Sequence, residues 1–379
     1  MALLERVSHL FLSILLLFSC GVALGAVSCR RNPIIFNFGD SNSDTGGLLA
    51  GLGLAVGPPN GRVFFRRSTG RFCDGRLAID FLCEHLNAAY LSPYLDALVP
   101  NFFSGANFAI AGSGTLPPFV AFSLNIQVLQ FLRFKSRILE IKKEHGEHPK
   151  FPFSEDEFQH ALYMLDIGQN DLSHAFSANL TYSQVIEKIP TILEQIKSAV
   201  EVSCSLYANG ARNFQLHNTG PLGCLPQKVS MFGEYYTAHD ENGCLNVFND
   251  AAKVYNTGLK KLCAELRTNL KNSTIVHVDI YSIKYDLIAN HAKYGFQDPL
   301  MACCGYGGPP YNFNDKVRCG QTGIINGSVV RGEACKEALS YVSWDGIHYT
   351  EASNAIIASK ILSTNYSEPQ TSFDFFCQI

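Results

Sequence analysis

Three short apolar runs, each stopping at a polar turn that contains glycine, constrain this chain more than any other feature. Pro33-Ile-Ile-Phe-Asn-Phe38 breaks off at Gly39-Asp-Ser-Asn-Ser-Asp-Thr-Gly-Gly47, Gly105 to Ala111 ends at Gly112-Ser-Gly114, and Ala161 to Ile167 ends at Gly168-Gln-Asn-Asp171. Apolar runs of this length bounded by turn formers read as buried strands. Between them the apolar spacing changes to that of a helix, with Leu77, Phe81, Leu82 and Leu86 inside 74–87, and Ile126, Leu129, Leu132 and Phe134 inside 123–141. A helical pattern from about Val185 to Tyr207 leads to a fourth strand-like run at 211–217, and Ile275 to Tyr281 supplies a fifth. A last helical stretch begins near Thr350. Such alternation favours an α/β fold with a mainly parallel sheet covered by helices over a sandwich or a helix bundle. Residues 51–72, rich in glycine, proline and arginine, read as a surface loop, and Lys142 to Lys150 as a solvated face. No fixed-period repeat and no long linker divides the chain.

Charge narrows the partners. Thirty Lys and Arg against 33 Asp and Glu leave a formal charge of -3, so no overall positive field gathers nucleic acid. With 47% hydrophobic and 17% charged residues the chain can bury a large core, and disorder is excluded. Residues 7–29 carry no Asp, Glu, Lys or Arg; the apolar HLFLSILLLFSC leads into the small residues of GVALGAVS. This pattern predicts a secretory signal peptide over 1–26, cut between residues 25 and 28, in preference to an uncleaved anchor. Its removal takes Cys20 from the 13 cysteines and leaves an even number, suited to disulfides in an oxidising compartment. Four sequons, at Asn179, Asn272, Asn326 and Asn365, agree. The expectation is a secreted glycoprotein of the extracellular region or cell wall without a stable membrane anchor.

In open α/β sheets ligands bind beyond the carboxyl ends of the strands. Ser41, Gly112 and Asn170 stand at the ends of the first three candidate strands. Ser41 is a nucleophile only if an imidazole can take its proton, and His348, three residues after Asp345, is a candidate. A tight turn lets Asp345 hold one ring nitrogen while the other meets the Ser41 hydroxyl. Spacing alone favours the plainer reading of Ser41 as a turn or cap residue, and is compatible with Asp345 as a loop cap and His348 as an ordinary surface histidine.

The blocks FNFGDSNSDTGG, GANFAIAGS, DIGQND and SWDGIHYTEASN, in this order, resemble the plant GDSL esterase/lipase family within the SGNH hydrolases. The resemblance implies a three-layer α/β/α sandwich over one domain, residues 27–379, and cleavage of carboxylic esters through an acyl-enzyme. It implies Ser41 as nucleophile, His348 as base and then acid, and Asp345 as its orienter. The Ser41 and Gly112 backbone N–H groups and the Asn170 amide would form the oxyanion hole, with no cofactor and no metal required. Asn42 stands where the family name has leucine.

Other residues invite over-reading. Asp40 and Asp44 are expected to stabilise the turn and a helix start rather than to act as a glycosidase carboxylate pair. Gly51-Leu-Gly53-Leu-Ala-Val-Gly57 lacks the spacing of a nucleotide loop. His217 and His277 fall in strand-like runs without a ligand cluster, and Cys303, Cys304, Cys319 and Cys335 are expected to staple a loop. The substrate can be a lipid ester, a small acyl ester or an acetylated carbohydrate. Phe64, Phe65, Pro117, Pro118, Phe119 and Phe122 either line an apolar mouth or pack on one another. Two other readings stand beside esterase: a secreted carbohydrate-binding or defence-associated protein with little turnover, and a glycosidase, for which a Ser, Asp, His set offers no mechanism. Oligomeric state is left open by the sequence.

Overall fold

Five strands lie parallel because each apolar run is followed by a helix that returns the chain to the same edge. They are β1 (Ile35–Gly39), β2 (Gly105–Asn107), β3 (Leu162–Asp166), β4 (Asn213–His217) and β5 (Thr274–Val278), and the short β6 (Ser367–Glu368) adds antiparallel to β5. The order across the sheet is β2-β1-β3-β4-β5-β6. The computed structural model describes residues 29–117, 119–146, 153–201 and 205–378. The expected signal peptide, Cys20, Pro118 and the end of the charged run at 147–150 lie outside them.

Helices cover both faces: α1 (Gly47–Leu52), α2 (Ala78–His85), α3 (Leu124–His145), α4 (Glu155–His160), α5 (Gln169–Ser177), α6 (Tyr182–Glu201), α7 (Pro226–Phe232), α8 (Asn246–Asn269), α9 (Ile280–Ala289) and α10 (Glu351–Leu362). Alternation along β1 sends Phe36 and Phe38 to a core shared with Phe131 of α3, Ile192 of α6 and Tyr255 of α8. Ile35 belongs to the opposite core, with Leu82 of α2, Ile283 of α9 and Ile357 of α10. Phe36 meets Phe131 at 5.0 Å between ring centres, and Phe38 stacks on Phe108 at 5.2 Å. The result is the expected three-layer α/β/α sandwich.

Several boundaries differ from the sequence expectation. The second strand covers only Gly105–Asn107, although the Phe108 and Ile110 N–H groups still donate to the Asn37 and Gly39 carbonyls of β1 at 2.8 Å and 3.1 Å. The fifth stops at Val278, and Ile280 to Tyr281 already belong to α9, whose first turn is capped by the Asp279 carboxylate accepting from Ser282 N–H. The helix over Tyr182–Glu201 begins earlier and ends sooner than 185–207. Disulfides join Cys29–Cys377, Cys224–Cys244, Cys303–Cys335 and Cys304–Cys319. The stapled loop is therefore as expected, but complete pairing is not: Cys73, Cys83 and Cys263 are buried thiols, and burial pushes each of them up, away from the reactive thiolate. No helix among the described residues is long and apolar enough to cross a membrane. The four sequon asparagines are all exposed.

Candidate active site

A sheet ordered 2-1-3-4-5 reverses its winding between β1 and β3, which opens a crevice beyond their carboxyl ends. The turn after β1 holds Ser41 there, and Asn170, in the first turn of α5, follows β3. Gln127 of α3 fixes the end of β1 by accepting from Gly39 N–H at 2.9 Å and donating back to its carbonyl at 2.8 Å. Asp44 shapes the rest of the turn. Its carboxylate accepts from Gly46 N–H at 2.7 Å and Leu48 N–H at 3.1 Å at the start of α1, and from Ala111 N–H at 2.8 Å. It is thus the helix-start stabiliser expected from sequence, and it also joins the first turn to the residue before Gly112. Gly112 sits at φ +82°, where a side chain would be strained, and this aims its backbone at the crevice.

The C-terminal loop brings in the imidazole. Asp345 Oδ1 accepts from Ile347 N–H at 3.0 Å and His348 N–H at 2.8 Å, while its Oδ2 lies 2.7 Å from His348 Nδ1. Burial alone would raise this carboxyl, but the imidazole's positive charge and these hydrogen bonds outweigh it and hold Asp345 below the usual carboxylate range. With Nδ1 facing Asp345, the neutral ring that keeps its proton on this nitrogen leaves Nε2 to accept. Phe72 lies against the His348 ring at 5.2 Å between centres. Cys303 N–H donates to the Ser343 carbonyl at 3.0 Å and Cys304 N–H to the Trp344 carbonyl at 2.6 Å, so the stapled segment underlies the Asp345–His348 turn. Closing the 15-residue span between Cys304 and Cys319 is worth about 3 kcal/mol on the chain-entropy account. Replacing both by serine should lower the melting temperature by several degrees and reduce ester turnover with it; an unaltered melting curve would show that the staple does not support this turn.

Ser41, Gly112, Asn170 and His348 line one cleft of about 460 Å³. Ser41 is only 6% exposed, and among the described residues its hydroxyl has no hydrogen-bond partner. The Ser41 and Gly112 N–H groups likewise donate to no described acceptor. Asn170 Nδ2 donates to the Ser113 carbonyl at 2.9 Å and to Asp40 Oδ2 at 3.2 Å, which fixes the amide plane. Leu48, Phe72, Phe119, Val120, Leu225, Met231 and Ile347 contribute apolar surface to the cleft, beside polar residues that include Gln169, Ser173, Gln227 and Arg318. Of the proposed mouth residues only Phe119 lines this cleft among those described. Phe64 and Phe65 instead pack edge-on to each other at 5.0 Å and onto Tyr90, with Arg76 and Arg71 over their faces, because those guanidinium groups hold the loop against α2.

A buried polar cluster behind the turn is not readable from sequence. Asp40 Oδ1 accepts from Asn42 N–H at 2.9 Å and Asn42 Nδ2 at 2.8 Å, and Lys284 of α9 donates to Asn42 Oδ1 at 3.0 Å. Burial pushes the Asp40 carboxyl up to about 7 and the neighbouring Asp166 charge adds to the rise, against the bonds from Asn42 and the Lys284 charge. Burial pushes Lys284 down, opposed by Asp166 and Asp40. Asn42 is therefore the link between the Ser41 turn and a buried ammonium, a bond that leucine cannot make. His217 meets Gln215 at 3.1 Å, and His277 is buried, which pushes it down to about 4. The one grouping of potential metal ligands among the described residues is Cys224, Asp240 and Cys244, whose two sulfurs are joined to each other.

A parallel α/β sheet with a serine and a carboxylate-held imidazole at its switch point has the build of a serine ester hydrolase. Comparison with known proteins makes the assignment specific: the chain belongs to the GDSL-like lipase/acylhydrolase family, whose model matches residues 35–361, and it acts on ester bonds. It is 55% identical to the GDSL esterase/lipase At1g09390 of Arabidopsis thaliana over 100% of both chains. It is 56% identical to the GDSL esterase/lipase LIP-4 of the same plant, over 93% of this chain and 91% of that one. An Arabidopsis protein named alpha-L-fucosidase 3 is 43% identical over 87% of this chain and 90% of its own.

Proposed function

We propose that Ser41, His348 and Asp345 form the catalytic triad of a secreted carboxylic ester hydrolase. The observation that carries this reading is the meeting in one cleft of Ser41 with an imidazole already held by Asp345 at 2.7 Å. His348 Nε2 takes the hydroxyl proton as Ser41 Oγ attacks the ester carbonyl. The tetrahedral oxyanion accepts hydrogen bonds from the Ser41 and Gly112 N–H groups and from Asn170, where it displaces the longer contact to Asp40. His348 then protonates the departing alcohol, and water activated by the same imidazole releases the acid and regenerates Ser41. Every step uses groups of the chain itself. The four disulfides among the described residues and the four exposed sequons suit an oxidising, extracellular site with Asn179, Asn272, Asn326 and Asn365 glycosylated.

The test is a panel of acetyl to palmitoyl esters and acetylated glycans, run on purified glycosylated protein beside Ser41→Ala. Turnover that depends on Ser41 supports the reading; binding of a glycan without turnover of any ester favours the carbohydrate-binding alternative. A glycosidase needs two carboxyl groups at the substrate. Asp315 is the one carboxylate lining this cleft among the described residues, and it pairs with Arg318 at 2.8 Å. Asn170→Ala removes one oxyanion donor and should lower kcat about 100- to 1000-fold, roughly 3 kcal/mol, with a far smaller change in KM. Unchanged kcat on an ester whose chemical step limits turnover would remove Asn170 from the oxyanion hole.

A further inference from the structure

Lys228 is the second residue of α7 after Pro226, and the neighbouring Gln227 N–H donates to the Gly346 carbonyl at 2.9 Å. That bond ties α7 to the turn carrying Asp345 and His348, and Lys228 lines the same cleft as Ser41. The residue is 2% exposed. Among the described residues no hydrogen bond and no ion pair reaches its Nζ, while the rings of Phe232 and Phe248 stand 5.5 Å and 5.7 Å away. Burial pushes Lys228 down to about 8, and no neighbouring charge opposes it. Lys284, equally buried, differs in having Asn42 Oδ1 and the charges of Asp40 and Asp166 beside it. Asp315, which lines the same cleft, pairs with Arg318. Two aromatic faces offset part of the cost of burying an ammonium, but a buried charge without a counter-ion remains expensive.

We infer that Lys228 is a substrate-binding residue that pairs with an anionic group, a carboxylate or a phosphate, carried by the ester elsewhere in the same cleft as its scissile bond. The inference rests on the triad reading, since it places that bond at Ser41. A bound anion supplies the missing counter-ion in a cleft whose remaining walls are largely apolar, so it selects charged esters over neutral ones of the same shape.

The experiment compares kcat/KM for two matched pairs. The mono-4-nitrophenyl ester of adipic acid is set against 4-nitrophenyl hexanoate for a carboxylate, and 1-acetylglycerol 3-phosphate against 1-acetylglycerol for a phosphate. Wild type should favour the charged member of at least one pair, and which pair responds identifies the source of the anion. Lys228→Met should cut that charged-to-neutral ratio about 10- to 100-fold, and Lys228→Arg should retain most of it. A wild-type ratio near one in both pairs, or a ratio unmoved by Lys228→Met, overturns the inference. If Lys228→Met does not fold, inhibition of wild type decides: adipate or glycerol 3-phosphate should compete with a neutral ester while adipamide and glycerol do not, and equal inhibition by charged and neutral compounds overturns the proposal. Ser41→Ala separates the two failures, because activity that survives it rejects the triad, whereas Ser41-dependent hydrolysis with no charge preference rejects only the role of Lys228.

Discussion

Ser41→Ala is expected to abolish covalent labelling by a serine-reactive phosphonate and to lower ester turnover by about 10⁴-fold or more. The size follows from the covalent route. Without Oγ there is no acyl-enzyme, and what remains is binding and whatever oxyanion stabilisation the cleft offers to direct attack by water. The fold should be untouched, because the Ser41 hydroxyl has no hydrogen-bond partner among the described residues and its loss strands no buried acceptor. The turn is held instead by Gln127 on Gly39 and by Asp44 on α1, neither of which involves the Ser41 side chain. A melting temperature within a degree or two of wild type is therefore expected. Mass spectrometry of labelled protein reads the first outcome directly. Phosphonate bound to a different residue in the variant, or full turnover without label, would reject Ser41 as nucleophile.

The strand ends were the most legible part of the fold. Gly39 and Gly168 stand at the ends of β1 and β3, and local turn chemistry determines that without help from distant residues, whereas Gly112 lies beyond the end of β2 at Asn107. Gly168 also shows what was hidden: a Cβ there would lie 2.4 Å from the Tyr255 hydroxyl, which donates to the Ile167 carbonyl at 2.6 Å. That contact needs α8, on one face of which Phe248, Tyr255, Leu259 and Leu266 recur. The antiparallel β6 was not legible, since two residues carry no periodicity and only pairing with Val278 and His277 makes them a strand. In the site, Asp345 and His348 are close in sequence and their bond could be foreseen. Lys284 on Asn42 and Lys228 in the cleft could not, because nothing local distinguishes a lysine on a partly apolar helix from one whose head is buried by elements far along the chain. Cys73, Cys83 and Cys263 make the same point: an even cysteine count does not reveal which pairs of sulfurs the fold brings together.

Asp345→Asn should lower kcat by about 10⁴-fold while leaving KM within a fewfold of wild type. The carboxylate does two things that the amide cannot. On the proposed mechanism it accepts the Nδ1 proton across the 2.7 Å contact, so that the lone pair of Nε2 is left for the Ser41 proton, and its charge stabilises the imidazolium formed when that proton arrives. An asparagine that turns its NH₂ toward Nδ1 selects the opposite tautomer and leaves a proton where a base is needed. Stability moves in a direction fixed by the depressed carboxyl of Asp345. A group whose folded pKa lies below its unfolded value stabilises the fold above the unfolded value, near 4, and loses that contribution as pH falls through the folded one. Wild type should therefore be more stable than Asp345→Asn at neutral pH, with the gap closing as the pH is taken below about 4. Thermal melts of the two proteins from pH 7 to pH 3, beside kcat at neutral pH, measure both effects. A gap that widens toward acid, or a kcat within tenfold of wild type, would mean that Asp345 acts as an ordinary loop cap and that His348 is oriented by something else.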